Sequence, residues 1–84
     1  MKSRTLRITA PHGLHVRPAA QLVALARTFE AEIAVCVGDQ SANAKSLFCL
    51  QKLPLASGTE IALQANGSDA EQALEQLSAL LESL

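Results

Sequence analysis

The sequence predicts an α+β protein with one mainly antiparallel sheet and helices on one of its faces. Three short segments alternate polar and apolar residues, which is typical of half-buried strands. Two longer segments repeat apolar residues every three or four positions, as amphipathic helices do. With a hairpin and a short helix between them, the predicted order is β-α-β-β-α-β-α. A sheet covered on one face is the simplest packing for that order, although the periodicity alone does not separate it from a ferredoxin-like arrangement.

The predicted bounds follow from these signals in chain order. The strands are predicted at residues 5–9, 32–37, 40–43 and 60–65, and the two long helices at about residues 16–27 and from an N-cap at Ser68 onward. The strands turn one set of apolar side chains inward: Leu6, Ile8, Ile33, Val35, Val37, Ile61, Leu63 and Ala65. Gly38 supplies the positive φ of a two-residue turn, and the polar strand after it suits a sheet edge. Phe29 is predicted to close the core beneath the first helix.

Local signals also mark where the last two helices begin. Ser46 is a good N-cap for a short helix that starts at Leu47, and Pro54 limits that helix at its far end. Ser68 and Glu71 stand at the spacing of a capping box, so they predict the start of the last helix.

The turn before the first helix holds the most reactive side chain. Pro18 is tolerated only in a first helical turn, so His15 is predicted at or just before the N-cap. The free N–H groups and the positive dipole end there favour a bound anion, and Arg17 is placed to add a charge-assisted hydrogen bond. Both features disfavour the imidazolium and keep His15 neutral and nucleophilic. Position alone also fits a merely polar residue near a helix end.

Two segments resemble one known family. Residues 13–20 read Gly-Leu-His-Val-Arg-Pro-Ala-Ala and closely resemble the phosphorylation-site signature of the HPr family, the histidine-containing phosphocarriers of the bacterial sugar phosphotransferase system. Residues 42–50 resemble that family's regulatory-serine segment, and the spacing and total length also match. The resemblance implies a single domain over residues 1–84 with an open-faced β-sandwich fold. That fold is a four-stranded antiparallel sheet with three helices, two long and one short, on one face.

The resemblance also implies roles for the motif residues. His15 would accept a phosphoryl group on Nδ1 from phospho-enzyme I, originating from phosphoenolpyruvate, and pass it to A-type domains of enzymes II for sugar uptake. Arg17 would contact the phosphate. Ser46 matches the position that a dedicated kinase phosphorylates in some bacteria, whereas in others it is only a helix cap. The implied protein is a cytoplasmic, monomeric carrier without a cofactor and is not a stand-alone enzyme. Its further partners would be a serine kinase or phosphatase and transcriptional regulators.

A partner-docking surface is implied around the histidine. Its apolar part would be Val16, Ala20, Leu47, Phe48 and Gln51, with a basic rim of Arg27, Lys45 and Lys52. A short helix can hardly bury both Leu47 and Phe48, so one partly exposed side chain is the alternative explanation of that pair, although the resemblance favours a docking patch beside His15. Family members often carry lysine at the positions of Ala24 and Cys49 and asparagine at that of His12. The surface is therefore less basic here, which weakens the case for electrostatic steering toward acidic partners.

Composition bounds the function classes. The 84 residues suffice for one core, 49% of them are apolar, and the formal net charge is −1. Without Trp, Tyr or a basic stripe, a nucleic-acid binder is not expected. No apolar run approaches the roughly 20 residues of a membrane span, and residues 1–8 lack the apolar core of a signal peptide. Cys36 and Cys49 are expected as free thiols, with a disulfide as the alternative.

The sequence gives weaker support for a metal site or a catalytic triad. His12 and His15 straddle a turn, and nothing in the sequence indicates that they converge with the two cysteines, so no metal site is predicted. Asp39 and Asp69 stand at a turn and a helix cap, which leaves no support for a catalytic triad. Two function classes remain: a phosphoryl-transfer intermediate, in a general or a specialised branch of the system, and an interaction module of the same fold without phosphotransfer.

Overall fold

Four strands and three helices follow one another in the predicted order. The structure is a computed structural model that describes residues 2–9 and 16–83. Its elements are β1 (Lys2–Arg7), α1 (Val16–Ala26), β2 (Glu32–Val37), β3 (Gln40–Asn43), α2 (Leu47–Leu50), β4 (Glu60–Asn66) and α3 (Ala70–Ser83).

The strands form one antiparallel sheet in the order β1-β4-β2-β3. β4 is central and pairs with both β1 and β2, so that Leu63 lies opposite Arg4 on one side and Val35 on the other. β3 pairs only with β2, which confirms the predicted edge position of this polar strand. The order also separates β1 from the hairpin that follows α1, because β4 inserts between them.

Only one face of the sheet contributes to the core. Residues Ile61, Leu63 and Ala65 of β4 are buried, whereas Ala62 and Gln64 between them are half-buried on the opposite face. Since successive side chains of a strand point to opposite faces, the helices cover one face and leave the other open. The predicted open sheet with three helices is therefore confirmed.

The two long helices supply the other side of the core. Their buried residues recur at the predicted helical spacing and form one cluster with the inward strand residues. The buried residues of α1 are Pro18, Ala19, Leu22, Val23 and Ala26, and those of α3 are Ala70, Ala73, Leu74, Leu77, Ser78 and Leu81. Phe29, 8% exposed, closes the core after α1 as predicted. Leu84, whose spacing predicts that it continues the apolar face of the last helix, lies outside the described residues.

β1 differs most from the prediction, since it covers Lys2–Arg7 and not residues 5–9. Pairing with β4 extends back to Lys2, but Lys2 and Arg4 occupy the core-facing register positions at the sheet's edge and stay exposed. Alternation of apolar residues cannot reveal such a strand end. Ile8 is buried beyond the strand, where its N–H donates to Thr59 O at 2.9 Å and its carbonyl accepts from Gly58 N at 2.8 Å.

The connection between β4 and α3 packs closely against the loop after α1 and is hydrogen-bonded to it. Gly67 has a φ of +152°, and a Cβ there would lie 2.7 Å from the Cα of Ala31. Two residues later, the Asp69 carboxylate accepts the N–H groups of Glu30 and Ala31, each at 2.9 Å. Because α3 begins at Ala70, its flanking residue is Asp69, one residue later than the Ser68 cap predicted by the capping-box pattern.

Candidate functional site

α1 begins at Val16, directly after His15 in the sequence. His15 itself, together with His12 and the turn between them, lies outside the described residues. Pro18 is buried in the first turn, as the motif predicts, and Arg17 is exposed. The first turn of α1 contains no acidic residue, so no carboxylate of that turn competes with an external anion for its N–H groups.

Ser46 is the N-cap of α2, as predicted. Its backbone is extended (φ −126°, ψ 112°), and its hydroxyl oxygen accepts the N–H of Cys49 at 3.3 Å. The four-residue helix ends in a turn in which Gln51 N donates to Leu47 O at 3.0 Å. The cap matters because a helix of this length has almost no intrinsic stability.

Large apolar side chains are exposed on two neighbouring helices. Val16 on α1 is 57% exposed and Phe48 on α2 is 69% exposed, and the two helices pack against each other. Leu47 is half-buried and packs against the core. Of the adjacent residues Leu47 and Phe48, only Phe48 is therefore exposed. Of the other predicted docking residues, Ala20 and Gln51 are exposed. Exposed residues of this size are typical of contact surfaces, but their docking role stays a prediction.

Within residues 2–9 and 16–83, the predicted basic rim divides into two cations that donate hydrogen bonds, Arg27 and Lys45, and one that lies over an aromatic ring, Lys52. The Lys52 ammonium lies 4.5 Å from the centroid of the Phe48 ring, a cation–π distance that keeps this charge beside the exposed aromatic ring. Arg27 donates from Nε to Lys45 O at 3.0 Å. Lys45 donates from Nζ to Phe29 O at 2.7 Å.

Several supporting contacts carry no signal in the sequence pattern. The Asn43 side-chain oxygen accepts Lys45 N–H at 2.9 Å, and the Asp69 carboxylate holds the loop to which Phe29 leads. Backbone N–H groups from Glu30 above all, then from Ala31 and Asp69 itself, lower the pKa of Asp69, with a further contribution from the charge of Lys45. Asparagine and aspartate before a helix or turn do suggest local capping. Partners more than thirty positions away, as for Asp69, are not predictable from that signal.

The remaining predicted features have these outcomes. Cys36 and Cys49 are free and half-buried, and Ala24 is exposed on α1. Among residues 2–9 and 16–83, no three His, Cys, Asp or Glu side chains group as metal ligands would. Both histidines fall outside that search. No helix in the same residues has the length and hydropathy needed to cross a membrane.

Comparison with known proteins places this geometry in a family. The family described as "PTS HPr component phosphorylation site" matches residues 2–83. Phosphocarrier protein HPr of Haemophilus influenzae is 50% identical over 84 residues, which cover 100% of this chain and 99% of the relative. The chain belongs to the HPr family.

Solved structures agree with the fold. The crystal structure of HPr-C-His from Thermoanaerobacter tengcongensis superimposes with a TM-score of 0.95 at 38% identity, covering 99% of this chain and 93% of that one. An HPr dimer from the same organism matches with a TM-score of 0.79, also at 38% identity, over 99% of this chain and 95% of that one. These matches show that the fold is the open-faced sandwich and not the ferredoxin-like arrangement.

Proposed function

We propose that this chain is a phosphocarrier of the phosphoenolpyruvate:sugar phosphotransferase system. In this proposal residues 1–84 act as one domain, His15 accepts a phosphoryl group from phospho-enzyme I, and an A-type domain of an enzyme II receives it. The observation that carries the proposal is the start of α1 at Val16, immediately after the motif histidine, in a chain of the HPr family. A pure interaction module would not need a reactive imidazole at that position.

The proposed chemistry uses the neutral imidazole of His15. Its Nδ1 forms a bond to phosphorus as the bond from phosphorus to enzyme I breaks. In the onward transfer, the Nδ1–phosphorus bond breaks as the acceptor group of the enzyme II domain bonds phosphorus, and the neutral imidazole is regenerated. The N–H groups of the first turn of α1 and the exposed Arg17 stabilise the anionic group on His15. The dipole contributes about 0.3–1 kcal/mol, or up to ~2 kcal/mol when partly buried. Since about 1.4 kcal/mol shifts an equilibrium tenfold, such modest stabilisation keeps transfer reversible.

The docking surface in this proposal is Val16, Ala20, Leu47, Phe48 and Gln51, with Lys52 beside it. The exposure of Val16 and Phe48 supports it. Enzyme I and the A-type domains would use this surface in turn, and the chain alone would catalyse no turnover. Negative charge on Ser46, from a serine kinase, would sit next to Leu47 and oppose acidic partners there. Regulators of transcription would be further partners of the same surface.

The proposal takes the chain as a cytoplasmic monomer. Free Cys36 and Cys49 fit a reducing compartment.

The test is incubation with enzyme I and phosphoenolpyruvate, followed by intact mass. The wild type should gain one phosphate that is labile in acid and stable in alkali, whereas His15→Ala should gain none. His12→Ala is the matched control and should still be labelled. A wild type that stays unlabelled while enzyme I is phosphorylated would favour the interaction module. Label that persists in His15→Ala would assign the acceptor to another residue.

A further inference from the structure

The segment that leads into α2 is fastened to the end of α1 by two hydrogen bonds in opposite directions. Arg27, just after α1, donates from Nε to Lys45 O at 3.0 Å. Lys45 donates from Nζ to Phe29 O at 2.7 Å. Its own N–H goes to the Asn43 side chain at 2.9 Å, so the N–H, carbonyl and ammonium of Lys45 all have partners within the chain. We call the Arg27–Lys45–Phe29 bonds the helix tie.

The two bonds reach the end of α1 and the loop that follows it. The carbonyls of Val23, Leu25 and Ala26 at the end of α1 already accept backbone N–H groups of residues 27–29. Phe29, three positions beyond the helix, turns its carbonyl to Lys45 instead. Lys45, sixteen positions beyond Phe29 in the sequence, therefore holds this loop, while Arg27 at the helix end makes the other bond. Phe29 is only 8% exposed, so Lys45 is hydrogen-bonded to a residue of the core.

The helix tie bears on α2 because that helix is too short to hold its own position. It consists of four residues and starts two positions after Lys45. Besides the tie, it is fixed by the Ser46 cap and by the full burial of Leu50. Phe48 therefore depends on this segment for its placement relative to Val16, which is carried by α1.

We propose that Arg27 and Lys45 are positioning residues, which hold α2 against α1 so that Phe48 and Val16 meet a partner as one surface. This inference rests on the proposed function, since that surface is the one used for docking. In this inference Lys45 affects docking by positioning α2 through hydrogen bonds inside the chain. A residue of the basic rim would instead act by attracting acidic groups of the partner. The two roles predict different salt dependence, because salt screens an exposed charge such as that of Lys52 much more than a half-buried, hydrogen-bonded one such as that of Lys45.

The experiment compares Lys45→Met with Lys52→Met, the same substitution at the exposed lysine beside Phe48. Phosphotransfer from enzyme I is measured against carrier concentration at several salt concentrations. Lys45→Met should raise the half-saturation concentration about three- to tenfold, since the net loss of one typical hydrogen bond shifts an equilibrium by that order. Its maximal rate and salt slope should stay those of the wild type. Lys52→Met should flatten the salt slope.

A second measurement tests the helix tie in the protein alone, without enzyme I, through the amide resonances of α2. In Lys45→Met, and in Arg27→Lys, which keeps the charge but not the Nε geometry, the amide resonances of α2 should shift. They should stay in place in Lys52→Met, and Lys45→Arg should restore them in part. Unshifted α2 amides in Lys45→Met, or a flattened salt slope equal to that of Lys52→Met, would overturn the inference. If the wild type takes no phosphate from enzyme I, the proposed function fails, and the amide resonances alone still decide the helix tie.

Discussion

At the residue scale, the polar side chains of Asp69 and Ser78 differ in whether they are hydrogen-bonded. The Asp69 carboxylate accepts two backbone N–H groups from the loop after α1. Ser78 is 2% exposed on the buried face of α3, and its hydroxyl has no hydrogen-bond partner among residues 2–9 and 16–83. The first group ties two distant segments together, whereas the second is a buried polar group without compensation.

Asp69 should make stability depend on pH. Its pKa in the folded protein is below the ordinary value of 3.8, chiefly because it accepts the Glu30 N–H. A carboxyl whose pKa is lowered by folding stabilises the protein above its unfolded pKa and stops doing so as pH falls through its folded pKa. Asp69→Asn should therefore be less stable than the wild type at about pH 6, and the difference should shrink below about pH 4. Urea midpoints across this range measure it, with Asp39→Asn as a control. A difference that stays constant to the lowest pH would contradict the account.

Ser78→Ala should stabilise the protein. Removing an unsatisfied buried hydroxyl and adding the best helix former should together gain about 0.5–1.5 kcal/mol. Ser83→Ala is the matched control on the same helix, because the Ser83 hydroxyl donates to Leu80 O at 2.8 Å near an exposed end. The measurement is chemical unfolding at neutral pH. A loss of stability in Ser78→Ala would mean that its hydroxyl has a partner.

At the element scale, the bounds of a helix or strand are predictable where the residues that determine them lie close together in the sequence. The bounds of β2 and β3 match the prediction because alternation and the Gly38 turn specify them within a few residues. β1 is displaced because its pairing with β4 continues to Lys2, where no apolar residue marks the core side. The N-cap of α2 was predictable from Ser46, since a cap acts over three residues.

Gly67→Ala should test how tightly the elements around Ala31 are joined. An added Cβ would meet Ala31 Cα at 2.7 Å and Ala31 Cβ at 2.9 Å, in a loop that Asp69 also holds. The cost should be about 1–3 kcal/mol or more, as for overpacking. Gly38→Ala is the control, because its φ is +58° with nothing within 4 Å, so it should cost only the roughly 1–2 kcal/mol of a left-handed residue. Thermal melting of both variants ranks them. Equal losses would show that the loop yields to the added methyl group.

At the scale of the whole molecule, the motif residues were predictable and the support beneath them was not. His15, Arg17 and Ser46 stand in short segments whose pattern carries a family signature. The helix tie joins Arg27 to Lys45 and Lys45 to Phe29 across eighteen and sixteen positions, and no periodicity marks such pairs. Both cations were predicted as docking rim from the resemblance alone, because only tertiary structure reveals that each has an internal partner.

The central claim is that this chain carries phosphate between two proteins, and one measurement tests it most directly. Phosphoenolpyruvate, enzyme I and an A-type domain of an enzyme II are mixed with and without the chain, and the phosphate on the A-type domain is followed by intact mass. The account predicts that the domain is phosphorylated only when the wild-type chain is present, and that His15→Ala supports no transfer. Transfer at the same rate without the chain, or through His15→Ala, would contradict it.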